Sequence, residues 1–294
     1  MELPRNSRLP HMLPSEEAFA AAAVSALRIE NKDGVVVYDG KGIFSAARVW
    51  WMFRVFGHDK VWVLDGGLPR WRASGYDVES SASSDTILKA NAASDAIDKV
   101  YQDQQVGPIT FQTKFQLHLV WTLDQVILTM SKICSDTFLS YTGGVRFFSV
   151  KRYAQCSLKL GRILRTKHSS WLMPAQKPGD SPTYNFQHRR FDGTASEPRK
   201  GIRDGHVPGS KCVPFSQGAS CDRPAEPYML LFRKGINLEQ PIVTSCGTGV
   251  TACVLALGLH RLGKTDVAVY DGSWTEWGGK PDTPLKLLED LHHL

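Results

Sequence analysis

The chain has 294 residues, 42% of them apolar, and a formal net charge of +6. This is the composition of a globular protein long enough for two ordinary domains, and no apolar run reaches the roughly 20 residues that a membrane-spanning helix needs. The positive charge does not describe a nucleic-acid surface, because it is concentrated: between Ile127 and Arg190 eleven Lys and Arg stand against two Asp and Glu, which leaves the rest of the chain net negative.

The opening Met1-Glu2-Leu3-Pro4-Arg5 lacks the apolar core of a secretory signal. The six cysteines (Cys134, Cys156, Cys212, Cys221, Cys246 and Cys253) show neither a Cys-x-x-Cys pair nor metal-ligand spacing. They are therefore expected to be reduced thiols in an intracellular protein, with no metal and no membrane partner. With no address at Met1, the cytoplasm is the default compartment.

Ser15-Glu16-Glu17 opens an alanine-rich stretch that predicts a helix to Leu27, capped by Ser15 with acidic side chains in its first turn. Val35-Val36-Val37-Tyr38 reads as a short buried parallel strand, Asp39-Gly40-Lys41-Gly42 as a turn, and Ser45 to Phe56 as an apolar helix stopped by Gly57. Val61 to Leu64 reads as the next strand, followed by the turn Asp65-Gly66-Gly67. Strand, helix and strand with short connections imply an α/β domain. Residues 72–125 are polar and Ser/Ala-rich, with an extended run at Ile109-Thr110-Phe111; 101–125 reads as a linker between domains, and Trp121 to Gln125 as the lead-in to a short helix. From Ile127 to His188 the basic sequence shows no sustained helical or strand period, so 126–189 is expected to be an atypical, poorly ordered insertion.

From Arg190 regular patterning returns. His206 sits in the Gly/Pro turn Gly205 to Gly209, where a structural hydrogen bond is the better reading than base catalysis. Arg190 and Arg199 read either as solvated charges or as a pair suited to a small carboxylate through bidentate hydrogen bonds. Ile242 to Ser245 is a second short apolar strand, and Ala252 to Leu262 a helix ended by Gly263. This half repeats the first without gaps at a separation of 206 residues: Gly57 matches Gly263, Asp65-Gly66 matches Asp271-Gly272, Trp71 matches Trp277, and Ala46 matches Ala252. At that offset Cys246 corresponds to Gly40, so only the second copy carries a thiol there.

Cys246 therefore stands out. It lies where a strand gives way to a helix, and the orphan N–H groups and dipole of a helix start favour the anionic, reactive form of a thiol. Gly247 and Gly249 let the backbone turn tightly enough for several N–H groups to meet one anion, and Thr248 and Thr251 add hydroxyls. The pattern is that of a nucleophile in an anion cradle. Cys253, a turn or more into the helix, reads as a small buried hydrophobe.

Cys246-Gly247-Thr248-Gly249-Val250-Thr251, with the duplicated unit around it, resembles the tandem rhodanese-like sulfurtransferases, and in particular the plant-type 3-mercaptopyruvate class. The resemblance covers about Leu9 to Asp124, Arg190 to Phe215 and Asn237 to Pro284. It implies two rhodanese-like α/β domains, the first incomplete because the family's first domain begins upstream of Leu3. On this basis 1–100 is expected to be the non-catalytic domain and 190–294 the catalytic one. The implied reaction moves the sulfur of 3-mercaptopyruvate through a persulfide on Cys246 to a thiol, thioredoxin or cyanide, releasing pyruvate. Thiosulfate as donor is the alternative within the enzyme class, and a catalytically inactive variant the alternative outside it. By motif position, Arg190 and Arg199 would hold the donor, Thr248 would assist proton transfer, and Gly247, Gly249, Val250, Thr251 and His11 would complete the binding site. No cofactor is implied, a monomer is expected, and relatives in mitochondria make that the alternative compartment. A rhodanese-related phosphatase is disfavoured, since Ala252 occupies the position of its arginine.

Overall fold

The computed structural model describes residues 9–25, 27–40, 43–78, 83–135, 146–149, 190–213, 236 and 238–285. Its elements in chain order are α1 (Glu16–Ser25), β1 (Val35–Val37), α2 (Ala46–Val55), β2 (Val61–Val63), α3 (Gly67–Ala73), α4 (Ser83–Tyr101), a 3-10 turn (Leu117–Leu119), β3 (Val120–Trp121), α5 (Leu123–Ser135), β4 (Arg146–Ser149), β5 (Lys211–Cys212), β6 (Ile242–Ser245), α6 (Ala252–Arg261), β7 (Ala268–Tyr270) and α7 (Ser273–Gly279). No described helix is long and apolar enough to cross a membrane.

The class is α/β, and every recorded strand pairing is parallel. β1 and β2 form a two-stranded sheet with Val35 opposite Val61. The second sheet has the order β3-β7-β6-β4-β5. The duplication seen in the sequence is realised closely: α2 and α6 start and end 206 residues apart, as do α3 and α7. Gly57 and Gly263 close α2 and α6 in the left-handed conformation, at φ +82° and +91°. Ser15 Oγ accepts the Ala18 N–H at 3.1 Å and caps α1.

α2 and α6 pack on each other and carry one core across both copies. α2 is apolar around most of its circumference (Trp50, Trp51, Phe53 and Val55 are all buried) because it is covered by α6 on one side and by β1 and β2 on the other. A second cluster, with Val126, Tyr270, Trp274 and Trp277 at its centre, lies beneath β7 and α7.

Four elements differ from the sequence reading. α4 runs for 19 residues through the polar stretch and packs on α1. Val120–Trp121, inside the stretch read as linker, forms the edge strand of the second sheet, pairing with Val269 and Tyr270. The helix begun at Leu123 continues to Ser135, and Arg146–Ser149 pairs with both β6 and β5. Residues 126–135 of α5 and all of β4 fall in the 126–189 stretch; its other residues, 136–145 and 150–189, are outside those described. A central parallel strand this short offers no alternation by which to recognise it.

Candidate active site

β6 sits inside its sheet, with β4 on one side and β7 on the other, and all four of its residues are buried. Cys246 leaves its carboxyl end, where the chain turns into α6; the mouths of parallel sheets at such points are the usual place for ligands. The backbone there is fixed by α7. The Cys246 N–H donates to Ser273 Oγ at 3.2 Å, Cys246 O accepts from the Trp274 N–H at 2.9 Å, and Gly247 O accepts from the Thr275 N–H at 3.0 Å and Thr275 Oγ1 at 2.6 Å. Ser273 itself donates to Tyr270 O at 2.8 Å and adopts φ +50°, a left-handed backbone unusual for serine.

The duplicated copy shows what the loop is built to hold. At the start of α2, the Asp39 carboxylate accepts the N–H groups of Phe44 (2.6 Å), Ser45 (3.0 Å) and Ala46 (3.0 Å). The positions 206 residues on are Val250, Thr251 and Ala252, and Asp39 itself corresponds to Ser245. Among the described residues no protein group accepts from those three N–H groups. The N–H groups that a carboxylate occupies in the first copy thus have no acceptor among the described residues beside Cys246 in the second, and N–H groups so arranged suit an anion.

A cavity of about 780 Å³ opens over this loop. Cys246, Gly247, Thr248, Val250 and Thr251 form one wall, and Arg190, Arg199 and His11 close it from other directions. Gly249 is not in the wall; it lies beneath it at φ +78°, where an added Cβ would be 2.7 Å from Asp271 O. The first copy contributes an apolar wall of Phe44, Val49 and Met52, with Met12 from the arm. A larger cavity, about 1250 Å³, lies between β2, α3 and α6, but no cysteine lines it. Among the described residues no group of three His, Cys, Asp or Glu could hold a metal ion.

Arg199 is oriented by its neighbours. Its Nε donates to Glu197 Oε1 at 2.6 Å, and the Glu197 side chain is only 2% exposed. One terminal nitrogen donates to Gly247 O at 2.8 Å and to Thr275 Oγ1. Arg190 adjoins Phe191, whose ring stacks on His206 at 3.9 Å between centroids and whose carbonyl lies 2.7 Å from His206 Nδ1. His206 is therefore part of the scaffold beneath Arg190, and it does not line the cavity.

Sequence reasoning missed Arg48 and Asp271. They form a buried ion pair, Arg48 Nη2 to Asp271 Oδ1 at 2.5 Å, with side chains 6% and 4% exposed. Burial is the largest single influence and opposes the Arg48 charge, but the Asp271 carboxylate and the Cys253 sulfur together outweigh it and hold the guanidinium pKa above its ordinary value. Arg48 Nη1 also lies 3.9 Å from Cys253 Sγ. Burial pushes the Cys253 thiol up to about 12 despite Arg48, so it stays neutral, donating to Gly249 O at 3.2 Å. Glu197, Ser273 and Thr275 were also missed. The only sequence signal for any of these was the match of Asp271 to Asp65 in the repeat, which marks a position and not a partner.

The family model for the rhodanese-like domain matches residues 6–74 and 189–280. Among curated proteins, the chain is 59% identical over 293 residues to thiosulfate/3-mercaptopyruvate sulfurtransferase 1, mitochondrial, of Arabidopsis thaliana, covering 97% of this chain and 64% of that protein. It is 54% identical over 285 residues to thiosulfate/3-mercaptopyruvate sulfurtransferase 2 of the same plant, covering 96% and 70%. The chain thus spans about two thirds of the length of these relatives. Among solved structures, the 3-mercaptopyruvate sulfotransferase SseA from Escherichia coli aligns with a TM-score of 0.57 at 26% identity, over 91% of this chain and 76% of that one. The Tum1 protein of Saccharomyces cerevisiae shares the fold, with a TM-score of 0.63 at 23% identity over 97% and 79%. The chain belongs to the rhodanese-like family, as a tandem of two rhodanese-like regions akin to the plant thiosulfate/3-mercaptopyruvate sulfurtransferases, with the cysteine loop in the second.

Proposed function

We propose that the chain is a sulfurtransferase that takes sulfur from 3-mercaptopyruvate onto Cys246 and passes it to a thiol. The observation that carries this reading is the placement of Cys246 beside the Val250, Thr251 and Ala252 N–H groups, from which no described residue accepts, at a cavity that is also lined by two arginines. Arg199, held by Glu197, and Arg190 take the donor's carboxylate and carbonyl, as planar forks suit planar anions. The Cys246 thiolate attacks the donor sulfur, an S–S bond forms, and the C–S bond breaks with its electron pair passing to carbon. The resulting enolate of pyruvate is protonated by the proton that the donor thiol gives up, relayed through the Thr248 hydroxyl. The N–H groups of Val250, Thr251 and Ala252 stabilise the negative charge carried by the thiolate and then by the persulfide. An acceptor thiol, from a small molecule or thioredoxin, or cyanide, then attacks the outer sulfur and restores the thiolate.

The site needs neither metal nor organic cofactor for this chemistry, and the apolar wall from Phe44, Val49 and Met52 keeps bulk water from the enolate. The names of the two Arabidopsis relatives carry both donors, so thiosulfate is the second substrate to test. A monomer is the working unit in this reading. The cytoplasm is the proposed compartment, with the mitochondrion, named for one relative, as the alternative. The test is pyruvate release with a thiol acceptor, beside thiosulfate consumption, for the wild-type chain and for Arg190→Lys and Arg199→Lys. Both variants are expected to raise the 3-mercaptopyruvate concentration at half-maximal rate at least tenfold. Unchanged half-saturation in both would refute the assignment of the carboxylate to these arginines.

A further inference from the structure

The two copies treat one aspartate differently. In the first, Asp65 follows β2 and pairs with Arg70 from α3 of the same copy. In the second, Asp271 follows β7, but the residue 206 positions after Arg70 is Glu276. Glu276 accepts the Tyr270 hydroxyl at 2.8 Å and offers Asp271 no positive charge. The second copy has replaced its own cation by an anion, and the cation for Asp271 comes from the first copy, as Arg48 of α2.

Arg48 joins several parts of the site at once. Its Nη2 donates to Asp271 and to His11 O at 2.7 Å, while the other Asp271 oxygen accepts the Leu13 N–H at 2.8 Å. The arm bearing His11 and Met12 is therefore pinned at both ends of a short span. His11 is at φ +64° there, a strained backbone that the two bonds hold. On its other side the pair supports the Cys246 loop: a Cβ on Gly249 would lie 2.7 Å from Asp271 O and 3.2 Å from Arg48 Nη1. The guanidinium lies 4.4 Å from the centre of the Trp51 ring, which fixes its plane.

A buried ion pair is weak evidence for stability, because apolar residues of similar volume often do as well. What it does supply is direction. Given the sulfurtransferase reading above, on which this rests, we propose that Arg48 is a positioning residue lent by the first copy to the second, holding the Cys246 loop and the His11 arm in the geometry from which sulfur is transferred. The second rhodanese-like region is then incomplete without α2 of the first.

The test is rapid-quench mass spectrometry of sulfur uptake by Cys246 in the full chain, with 3-mercaptopyruvate as donor, comparing wild type with Arg48→Lys, Arg48→Met and the double variant Arg48→Met/Asp271→Leu. Misplacement of reacting groups by about 1 Å costs on the order of a hundredfold in rate. Arg48→Met is expected to slow uptake ten- to a hundredfold, with the final sulfur per chain and the half-saturating donor concentration unchanged. Arg48→Lys, which keeps the charge and loses the fork, should recover only part of the rate. The double variant removes both charges and leaves the Leu13 N–H and His11 O without these partners; it is expected to melt above Arg48→Met, which leaves Asp271 buried and unpaired, and still react slowly.

A purely structural role would instead lower the final sulfur per chain and leave the rate of the competent molecules unchanged, and that result overturns the proposal. So does full rate in the double variant, or a shift in half-saturation alone, which would make Arg48 a donor ligand. Absence of added sulfur on the wild-type chain would remove the reading beneath the proposal, and the proposal with it; full-rate variants of an active wild type would overturn the proposal alone.

Discussion

Gly249→Ala separates two costs that one glycine avoids. At φ +78° an alanine sits in the left-handed region, which costs an L-residue about 1–2 kcal/mol. Its Cβ would then stand 2.7 Å from a main-chain oxygen, Asp271 O, and 3.2 Å from Arg48 Nη1. Neither neighbour is the free end of a flexible chain, so the loop must move, and overpacking of this kind costs about 1–3 kcal/mol. The expected loss is therefore about 3 kcal/mol. Gly263→Ala is the control: it has φ +91° and nothing within 4 Å of an added Cβ, so only the backbone cost of about 1 kcal/mol applies. The gain from restricting the unfolded chain is common to both and cancels. Urea unfolding with a shared m-value gives the comparison, and the shift in midpoint should be at least twice as large for Gly249→Ala. That variant should also form the Cys246 persulfide more slowly, while Gly263→Ala should match the wild type. Equal midpoint shifts would refute the close approach of the loop to the ion pair.

Trp277 is fully buried, with its ring N–H on Pro284 O at 2.8 Å, whereas its counterpart in the first copy, Trp71, is 37% exposed. Trp277→Ala should cost about 3–5 kcal/mol, and Trp71→Ala about 1 kcal/mol, by urea unfolding. Burial raises the Glu276 pKa, against the hydrogen bond from Tyr270. A raised carboxyl pKa gives a contribution to stability that is complete below its ordinary value of 4.5 and is lost as pH rises through the folded value. Glu276→Gln should therefore lose less stability than the wild type as pH rises from 4.5 toward neutral, in melting curves taken across that range; parallel curves would contradict this. The Cys253 thiol, raised to about 12, should resist alkylation in the native chain at pH 9 and become reactive only on unfolding, as read by peptide mass mapping.

What the sequence made legible were the features carried by local chemistry. Gly57 and Gly263 marked the ends of α2 and α6, Ser15 marked the start of α1, and the runs Val35–Val37 and Ile242–Ser245 marked β1 and β6. The loop from Cys246 to Thr251 announced itself by its small and hydroxylated residues at a strand-to-helix junction, and the structure places its wall with Arg190, Arg199 and His11 around one cavity. What stayed hidden depended on distance. Arg48 and Asp271 are separated by 223 positions, and nothing near either residue names the other. α4 was hidden for another reason: its apolar residues are sparse, and it is a helix because it lies on α1, with Ala96 buried there, and not because its own pattern demands it. β4 gave no signal because four residues in the middle of a parallel sheet are specified by the strands on either side. The Asp39 nest is the instructive intermediate case: the duplication was visible in sequence, but only the bonds from Phe44, Ser45 and Ala46 show that the first copy fills with its own carboxylate a nest for which the second has no acceptor among the described residues.

Everything proposed for the site depends on Cys246 carrying sulfur. Intact and peptide mass spectrometry after brief incubation with 3-mercaptopyruvate tests it most directly, with Cys246→Ser as the control. The expected result is one added sulfur per chain, located on the Cys246 peptide, removed by a thiol reductant and absent from the serine variant. A folded wild-type chain that gains no sulfur, or gains it equally when Cys246 is serine, would contradict it.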